Sequence, residues 1–244
     1  MPLIIIIVIT ALKDGYEDFQ RHQSDKRVNY SKVLVLSDVP NHNATEAKSK
    51  TFIRAIMPDR RSKLTGEGGS STPADGPRWR EVLWEDVRVG DFVKILDNQS
   101  FPADILICAT SEEENGAFVE TKNLDGETNL KSRHGVPILA NLNDAQQCAD
   151  PANSFTIQCD RPDVDMYRLN ANLTKDGTTY PVDLSMTLLR GTVLKNTAWA
   201  IGVVLFTGWD SKIVLNSGGT PSKRSKVERQ MNPQVYVDFS LIYA

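Results

Sequence analysis

Short apolar runs separated by turn residues constrain the fold of this chain more than any other feature of its sequence. Three of them, at residues 92–96, 104–109 and 117–121, are rich in Val, Ile and Phe. Strands of this length, spaced roughly 8–12 residues apart, are typical of a sandwich or barrel and not of a parallel α/β sheet. Similar runs occur later in the chain and, more weakly, near its start: residues 188–194, 198–206 and 33–39. We therefore predict a mainly β fold.

Two segments lack this pattern. Residues 60–78 (RRSKLTGEGGSSTPADGPR) are rich in Gly, Ser, Pro and charged residues, and we predict a flexible surface loop there. Residues 132–185 are polar and dotted with prolines, with a few isolated apolar pairs, and we interpret them as an insertion. With both segments included, the β domain is expected to span residues 31–216.

The chain is apolar at both ends. Residues 3–12 (LIIIIVITAL) would rise only ~15 Å as a helix, about half of a hydrocarbon core. Residues 235–244 are also largely apolar. A buried strand at each end is one interpretation; we favour two truncated membrane helices, at residues 1–12 and 235–244. The charged residues 13–30 are then expected to form a helical juxtamembrane connector, and residues 217–234 a linker.

Charge and cysteine content argue against several kinds of site. The formal net charge of -3 lacks the excess of Lys and Arg with which proteins bind nucleic-acid phosphates, so no nucleic-acid partner is expected. The three cysteines, Cys108, Cys148 and Cys159, form no C-x-x-C pair, and the three histidines are scattered. We therefore expect neither a disulfide framework nor a zinc site, and a reducing compartment fits the chain best.

The most distinctive local motif is NLDGETNLK at residues 123–131, which follows a predicted strand. Asp125-Gly126 is a strong tight-turn dipeptide, because glycine adopts a positive φ without steric cost. Such a turn projects the next side chain, Glu127, away from the sheet. Thr128 and Asn129 are then able to hydrogen-bond its carboxylate or the turn backbone. The spacing alone fits an ordinary hairpin tip as well as a catalytic glutamate.

Residues 119–131 (VETKNLDGETNLK) resemble the actuator loop of the type IV P-type ATPases, the lipid flippases, in which Asp-Gly-Glu-Thr replaces the Thr-Gly-Glu-Ser of the ion pumps. Other segments resemble further parts of the same family in the same order. They are the strand pair before the loop, the later strands, the linker to the third membrane helix and the cytosolic exit of the second: residues 89–104, 188–217, 220–225 and 13–29. The resemblance covers most of the chain outside residues 40–78 and 132–185.

The resemblance implies a mainly β (α+β) actuator domain, a distorted jelly roll or barrel, on the cytosolic side of a membrane. It assigns to Glu127 the role of holding a water molecule in line with an aspartyl phosphate and removing its proton. Gly126 would let the loop backbone approach the phosphate closely. Asp125, Thr128 and Asn129 would shape and support the loop.

The resemblance also implies what the parent pump needs. ATP and Mg²⁺ would be bound by its phosphorylation and nucleotide-binding domains, whereas these 244 residues are expected to bind no cofactor or metal and to have no ATPase activity alone. The substrate would be phosphatidylcholine, phosphatidylethanolamine or phosphatidylserine, carried by the membrane helices with an accessory glycoprotein subunit. The insertion is similar to those of fungal plasma-membrane and Golgi flippases, so the host membrane would be Golgi, endosomal or plasma membrane. The alternative is a non-enzymatic, membrane-tethered β domain that binds and regulates a full-length pump.

Overall fold

The structure, a computed structural model, describes residues 2–37, 39, 41 and 76–217. This part of the chain contains four α-helices: α1 (Pro2–Asn29), α2 (Lys122–Asp125), α3 (Ala145–Ala149) and α4 (Lys212–Asn216). It also contains twelve strands: β1 (Lys32–Ser37), β2 (Arg78–Leu83), β3 (Phe92–Leu96), β4 (Asp104–Thr110), β5 (Gly116–Glu120), β6 (Leu130–His134), β7 (Thr156–Cys159), β8 (Ala171–Lys175), β9 (Thr178–Val182), β10 (Thr187–Leu188), β11 (Val193–Lys195) and β12 (Trp199–Phe206).

The strands form three antiparallel sheets. The main sheet has six strands in the order β10-β4-β12-β3-β1-β2, and two smaller sheets have the orders β11-β5-β6 and β7-β8-β9. The prediction of a mainly β fold is therefore confirmed. Within the described residues none of the three sheets closes on itself, so the arrangement is layered and not a closed barrel.

Strand β4 lies at the centre of the fold, and all seven of its residues are buried. Successive side chains of a strand point to opposite faces of the sheet. Accordingly, Ile105 and Ile107 join a core shared with the β11-β5-β6 sheet, whereas Leu106 and Cys108 join a second core on the other face. Because both faces are covered, β4 is apolar from Ile105 to Ala109 instead of alternating, which explains the unbroken ILICA run in the sequence.

The second core is built largely from the segment predicted as an insertion. Leu139, Leu142 and Leu173 from this segment have no exposed surface and pack with the side chains that face them from the main sheet. Phe155 contacts Phe92 of β3 edge to face, with ring centroids 6.0 Å apart. Apart from residues 132–134, which belong to β6, this segment thus forms a folded layer on the main sheet.

Residues 188–194, predicted as one strand, form parts of two. β10 pairs with β4 in the main sheet, and β11 pairs with β5 in the small sheet. Between them the chain turns at Gly191, whose φ of 82° lies in the region that glycine adopts most readily. This break moves the chain from one sheet to the other and separates two elements that are continuous in their apolar pattern.

The carboxylate of Asp104 fixes this turn to α4. It is 2% exposed and accepts the backbone N–H of Arg190 at 2.8 Å and that of Lys212 at 2.7 Å. Burial raises the pKa of Asp104, and the two backbone hydrogen bonds oppose that effect. The buried Lys212 in turn donates from Nζ to the backbone oxygen of Asp165. One buried cluster therefore joins β4, the β10–β11 turn, α4 and the insertion.

Helix α1 is continuous for 28 residues, from the apolar segment through the charged one. The buried-strand interpretation of residues 3–12 is therefore wrong, and the helical character of residues 13–29 is confirmed. In the part of the chain that is described, no helix combines the length and the apolar content needed to cross a membrane. Most of the predicted loop at 60–78, nearly all of the linker at 217–234 and the apolar residues 235–244 lie outside the described residues.

Candidate active site

The conspicuous sequence motif lies in the connection between β5 and β6. These strands pair antiparallel from Gly116 opposite His134 to Glu120 opposite Leu130, which leaves residues 121–129 as the loop. The tight turn predicted at Asp125-Gly126 is instead the end of one helical turn, α2. Gly126 then ends α2 with a φ of 77° and a ψ of 0°, and its N–H donates to the Lys122 oxygen at 3.1 Å. A left-handed glycine was correctly predicted here, although it caps a helix.

Asp125 is the residue around which the loop is organised. Its carboxylate accepts the hydroxyl of Thr121 at 2.9 and 3.1 Å, and its Oδ1 accepts the backbone N–H of Glu127 at 3.0 Å. Lys131 donates from Nζ to Oδ2 at 2.5 Å. One carboxylate therefore ties together the first residue of the loop, the residue after the glycine and the strand that follows. Thr121 is buried, so the anchor on the β5 side belongs to the packed part of the domain.

Hydrogen bonding by Lys131 is the main reason that the pKa of Asp125 falls from 3.8 to about 2, and the bonds from Glu127 N–H and Thr121 act in the same direction. The Lys131 ammonium is stabilised by the same contacts, first by Asp125 and then by Glu127, which raise its pKa. At neutral pH both partners are thus charged, and the loop is held by charge-assisted hydrogen bonds.

Glu127 is presented outward by this anchored backbone. Its side chain is 58% exposed, and its Oε2 lies 3.0 Å from Lys131 Nζ. A carboxylate in this position is able to accept a proton or to orient a water molecule for a reacting group brought by another domain. The fixed loop limits where that carboxylate can lie, while its exposure leaves it accessible.

The structure brings together only part of the predicted site. Asp125, Gly126 and Glu127 form one connected unit, whereas the side chains of Thr128 and Asn129 are exposed and make no hydrogen bond to another described residue. The supporting role of those two residues stays a prediction. Sequence reasoning assigned no role to Thr121 or Lys131. A signal for Lys131 was present, because it follows Glu127 by four residues with the opposite charge.

A groove of about 440 Å³ runs beside the loop. It is lined by Asp125, Lys131 and Arg133 of the hairpin and by Val164 and Tyr167 of the insertion. Burial lowers the pKa of Arg133, whose Nη1 donates to the Leu184 oxygen at 2.9 Å. Among the described residues, no group of three or more His, Cys, Asp or Glu side chains is placed to hold a metal ion.

Loss of Lys131 is expected to shift the titration of Asp125. Because the folded-state pKa of Asp125 lies below its ordinary value, its ionised contacts stabilise the fold fully above pH 3.8 and are lost as the pH falls through about 2. Replacing Lys131 by Met should move the Asp125 midpoint upward towards 3.8, measured from side-chain carboxyl carbon shifts by NMR. Asp183, whose pKa is lowered mainly by the Ser185 hydroxyl, is the matched control and should titrate unchanged. An unchanged Asp125 midpoint would contradict the network.

Comparison with known proteins finds no matching family model. Curated relatives are nevertheless similar along the chain. Phospholipid-transporting ATPase dnf2 of Schizosaccharomyces pombe is 32% identical over 327 aligned positions, which cover 100% of this chain and 23% of the relative. Phospholipid-transporting ATPase 1 of Arabidopsis thaliana is 35% identical over 237 positions, covering 96% of this chain and 17% of the relative. Phospholipid-transporting ATPase tat-1 of Caenorhabditis elegans is 32% identical over 244 positions, covering 100% of this chain and 18% of the relative. The chain spans about a fifth of the length of these relatives.

Proposed function

Because this chain belongs to the phospholipid-transporting P-type ATPases of type IV, we propose that it is the actuator domain of an ATP-driven phospholipid pump. One observation carries the proposal. The Asp-Gly-Glu-Thr loop is anchored through Asp125 to the buried Thr121, directly after β5, and to Lys131 of β6, and it presents the carboxylate of Glu127 to solvent. Anchoring and exposure together are what a catalytic group needs when its reaction partner lies on a different domain.

In this proposal Glu127 promotes hydrolysis of an aspartyl phosphate on the phosphorylation domain of the same pump. A water oxygen attacks the phosphorus, the bond between phosphorus and the aspartyl oxygen breaks, and Glu127 accepts the proton that the water loses. The products are inorganic phosphate and the free aspartate. Gly126 carries no side chain, and beyond its own local backbone and the two adjacent residues no described atom lies within 4 Å of where its Cβ would be, so the backbone here is open to a phosphate.

We likewise propose that the whole pump transports phospholipids at the expense of ATP, because its relatives are phospholipid-transporting ATPases. ATP and Mg²⁺ would be used by the phosphorylation and nucleotide-binding domains of the pump. The substrate would be phosphatidylcholine, phosphatidylethanolamine or phosphatidylserine, moved through the membrane helices with an accessory subunit. The pump would reside in Golgi, endosomal or plasma membrane, with the domain in the cytosol. Helix α1 would transmit rotation of the domain to the membrane.

The proposal predicts that lipid transport requires Glu127. In the full-length pump that contains this segment, Glu127→Gln should abolish ATP-dependent uptake of a fluorescent phospholipid, because the amide keeps the size of the side chain but cannot act as a base. Glu113→Gln, at an exposed glutamate of the turn between β4 and β5, is the control and should transport as the unmodified pump does. Normal transport by Glu127→Gln would contradict the proposal and favour the alternative of a binding domain that regulates another pump.

A further inference from the structure

Lys131 is placed between the two carboxylates of the loop. Its Nζ lies 2.5 Å from Asp125 Oδ2 and 3.0 Å from Glu127 Oε2, and the side chain is 33% exposed. Lys131 belongs to β6 and pairs directly with Val119 of β5, which is buried. The ammonium group therefore reaches the loop from a regular, packed strand.

These contacts form a closed ring of interactions. Lys131 holds the Asp125 carboxylate, Asp125 holds the backbone N–H of Glu127, and the Glu127 carboxylate returns to Lys131. An isolated exposed ion pair contributes little, roughly 0.2–1 kcal/mol in typical proteins, partly because two long side chains must be ordered for one contact. Here Lys131 is already ordered by Asp125, so less additional side-chain entropy is lost when Glu127 joins.

We propose that Lys131 is a positioning residue, which holds the Glu127 carboxylate in the orientation that aligns the attacking water. This inference rests on the proposed function of Glu127 and extends it to a residue that does not itself touch the reacting atoms. Lys131 acts on the reaction through Glu127, so its effect must disappear when Glu127 is no longer a base. Misplacing a catalytic group by about 1 Å can reduce a rate by up to about 100-fold, so a measurable loss is expected.

The test compares phosphoenzyme decay in variants of the full-length pump containing this segment. Phosphoenzyme is formed from labelled ATP, and its decay is followed after a chase with unlabelled ATP. Lys131→Met should form phosphoenzyme normally and slow its decay about 10-fold. Lys131→Arg should recover most of the rate, since a guanidinium group can also bind two carboxylates. The double variant Lys131→Met/Glu127→Gln should decay no more slowly than Glu127→Gln alone.

Lys195→Met is the matched control, because Lys195 lies in the same small sheet and its Nζ donates to Asn98 Oδ1 at 2.7 Å, outside the loop. Its phosphoenzyme should decay at the rate of the unmodified pump.

If Glu127→Gln slows decay but Lys131→Met does not, the inference is wrong and the proposed function stands. If Glu127→Gln itself has no effect on decay, the proposed function is wrong, and the inference that rests on it is wrong as well. Should Lys131→Met not accumulate in the membrane, Lys131→Gln is measured against the same criteria. An additive slowing in the double variant would assign Lys131 a structural role only and would overturn the inference.

Discussion

Replacing Gly202 by alanine is expected to destabilise the domain by about 3 kcal/mol or more, the largest stability effect of any single methyl group that we anticipate. Gly202 lies in β12 at a register shift, between Val93 of β3 and Ile107 of β4. A Cβ at this position would be 2.3 Å from the Leu106 oxygen and 2.4 Å from Ile105 Cγ2. The first of these is a backbone atom of the central strand, so it cannot be relieved by a change of rotamer.

The effect should be visible in chemical denaturation of the chain followed by tryptophan fluorescence. Gly116→Ala is the matched control, because Gly116 also lies in a strand but its nearest neighbour, the Arg133 oxygen, would be 3.9 Å from the new Cβ. That variant should change the free energy of unfolding by less than about 1 kcal/mol. A Gly202→Ala protein as stable as Gly116→Ala would mean that β12 and β4 do not approach each other as described.

Strands β1, β3, β4 and β12 of the main sheet were predictable because their side chains are buried on at least one face, whereas β2, whose side chains are mostly not buried, was missed. Residues 92–96 and 199–206 of β3 and β12 follow the apolar pattern almost to the residue. The turn that separates β10 from β11 was not predictable, because the apolar residues continue across it. What divides them is the buried hydrogen bond from Arg190 N–H to Asp104, and that partner lies 86 residues earlier in the chain.

The strands of the insertion were missed for a local reason. In β8 the buried positions are Ala171, Leu173 and Lys175, so a lysine interrupts the apolar alternation. In β9 Pro181 weakens the strand signal, although β9 is an edge strand and an edge tolerates a residue without an N–H. Short strands whose pattern is broken by one polar residue or one proline become recognisable only from the core that they cover.

The site was predicted as a motif but not as a network. Asp125-Gly126 identified the turn, and the resemblance identified Glu127 as the candidate base. The ring through Lys131 depends on the pairing register of β5 with β6 and on the helical turn α2, which bring residues 121, 125, 127 and 131 together. Neither the register nor the turn follows from the spacing of these residues along the sequence.

Removing the base of Glu127 should produce the largest kinetic effect. General base catalysis typically contributes about 10²–10⁴-fold to a rate, and Glu127→Gln replaces the carboxylate by an amide of the same size. The ring should persist in part, because Asp125 keeps its bonds to Thr121 and Lys131. Formation of the phosphoenzyme does not use Glu127 in the proposed mechanism, so the variant should accumulate phosphoenzyme instead of failing to make it.

The most direct measurement is the decay rate of labelled phosphoenzyme in the full-length pump carrying Glu127→Gln, beside the unmodified pump and the Glu113→Gln control. Phosphoenzyme that forms normally and decays about 100-fold or more slowly, with an unaffected control, is the result we predict. Decay at the unmodified rate would contradict the assignment. The loop would then be an ordered hairpin connection, and the chemistry of hydrolysis would have to be carried by residues elsewhere in the pump.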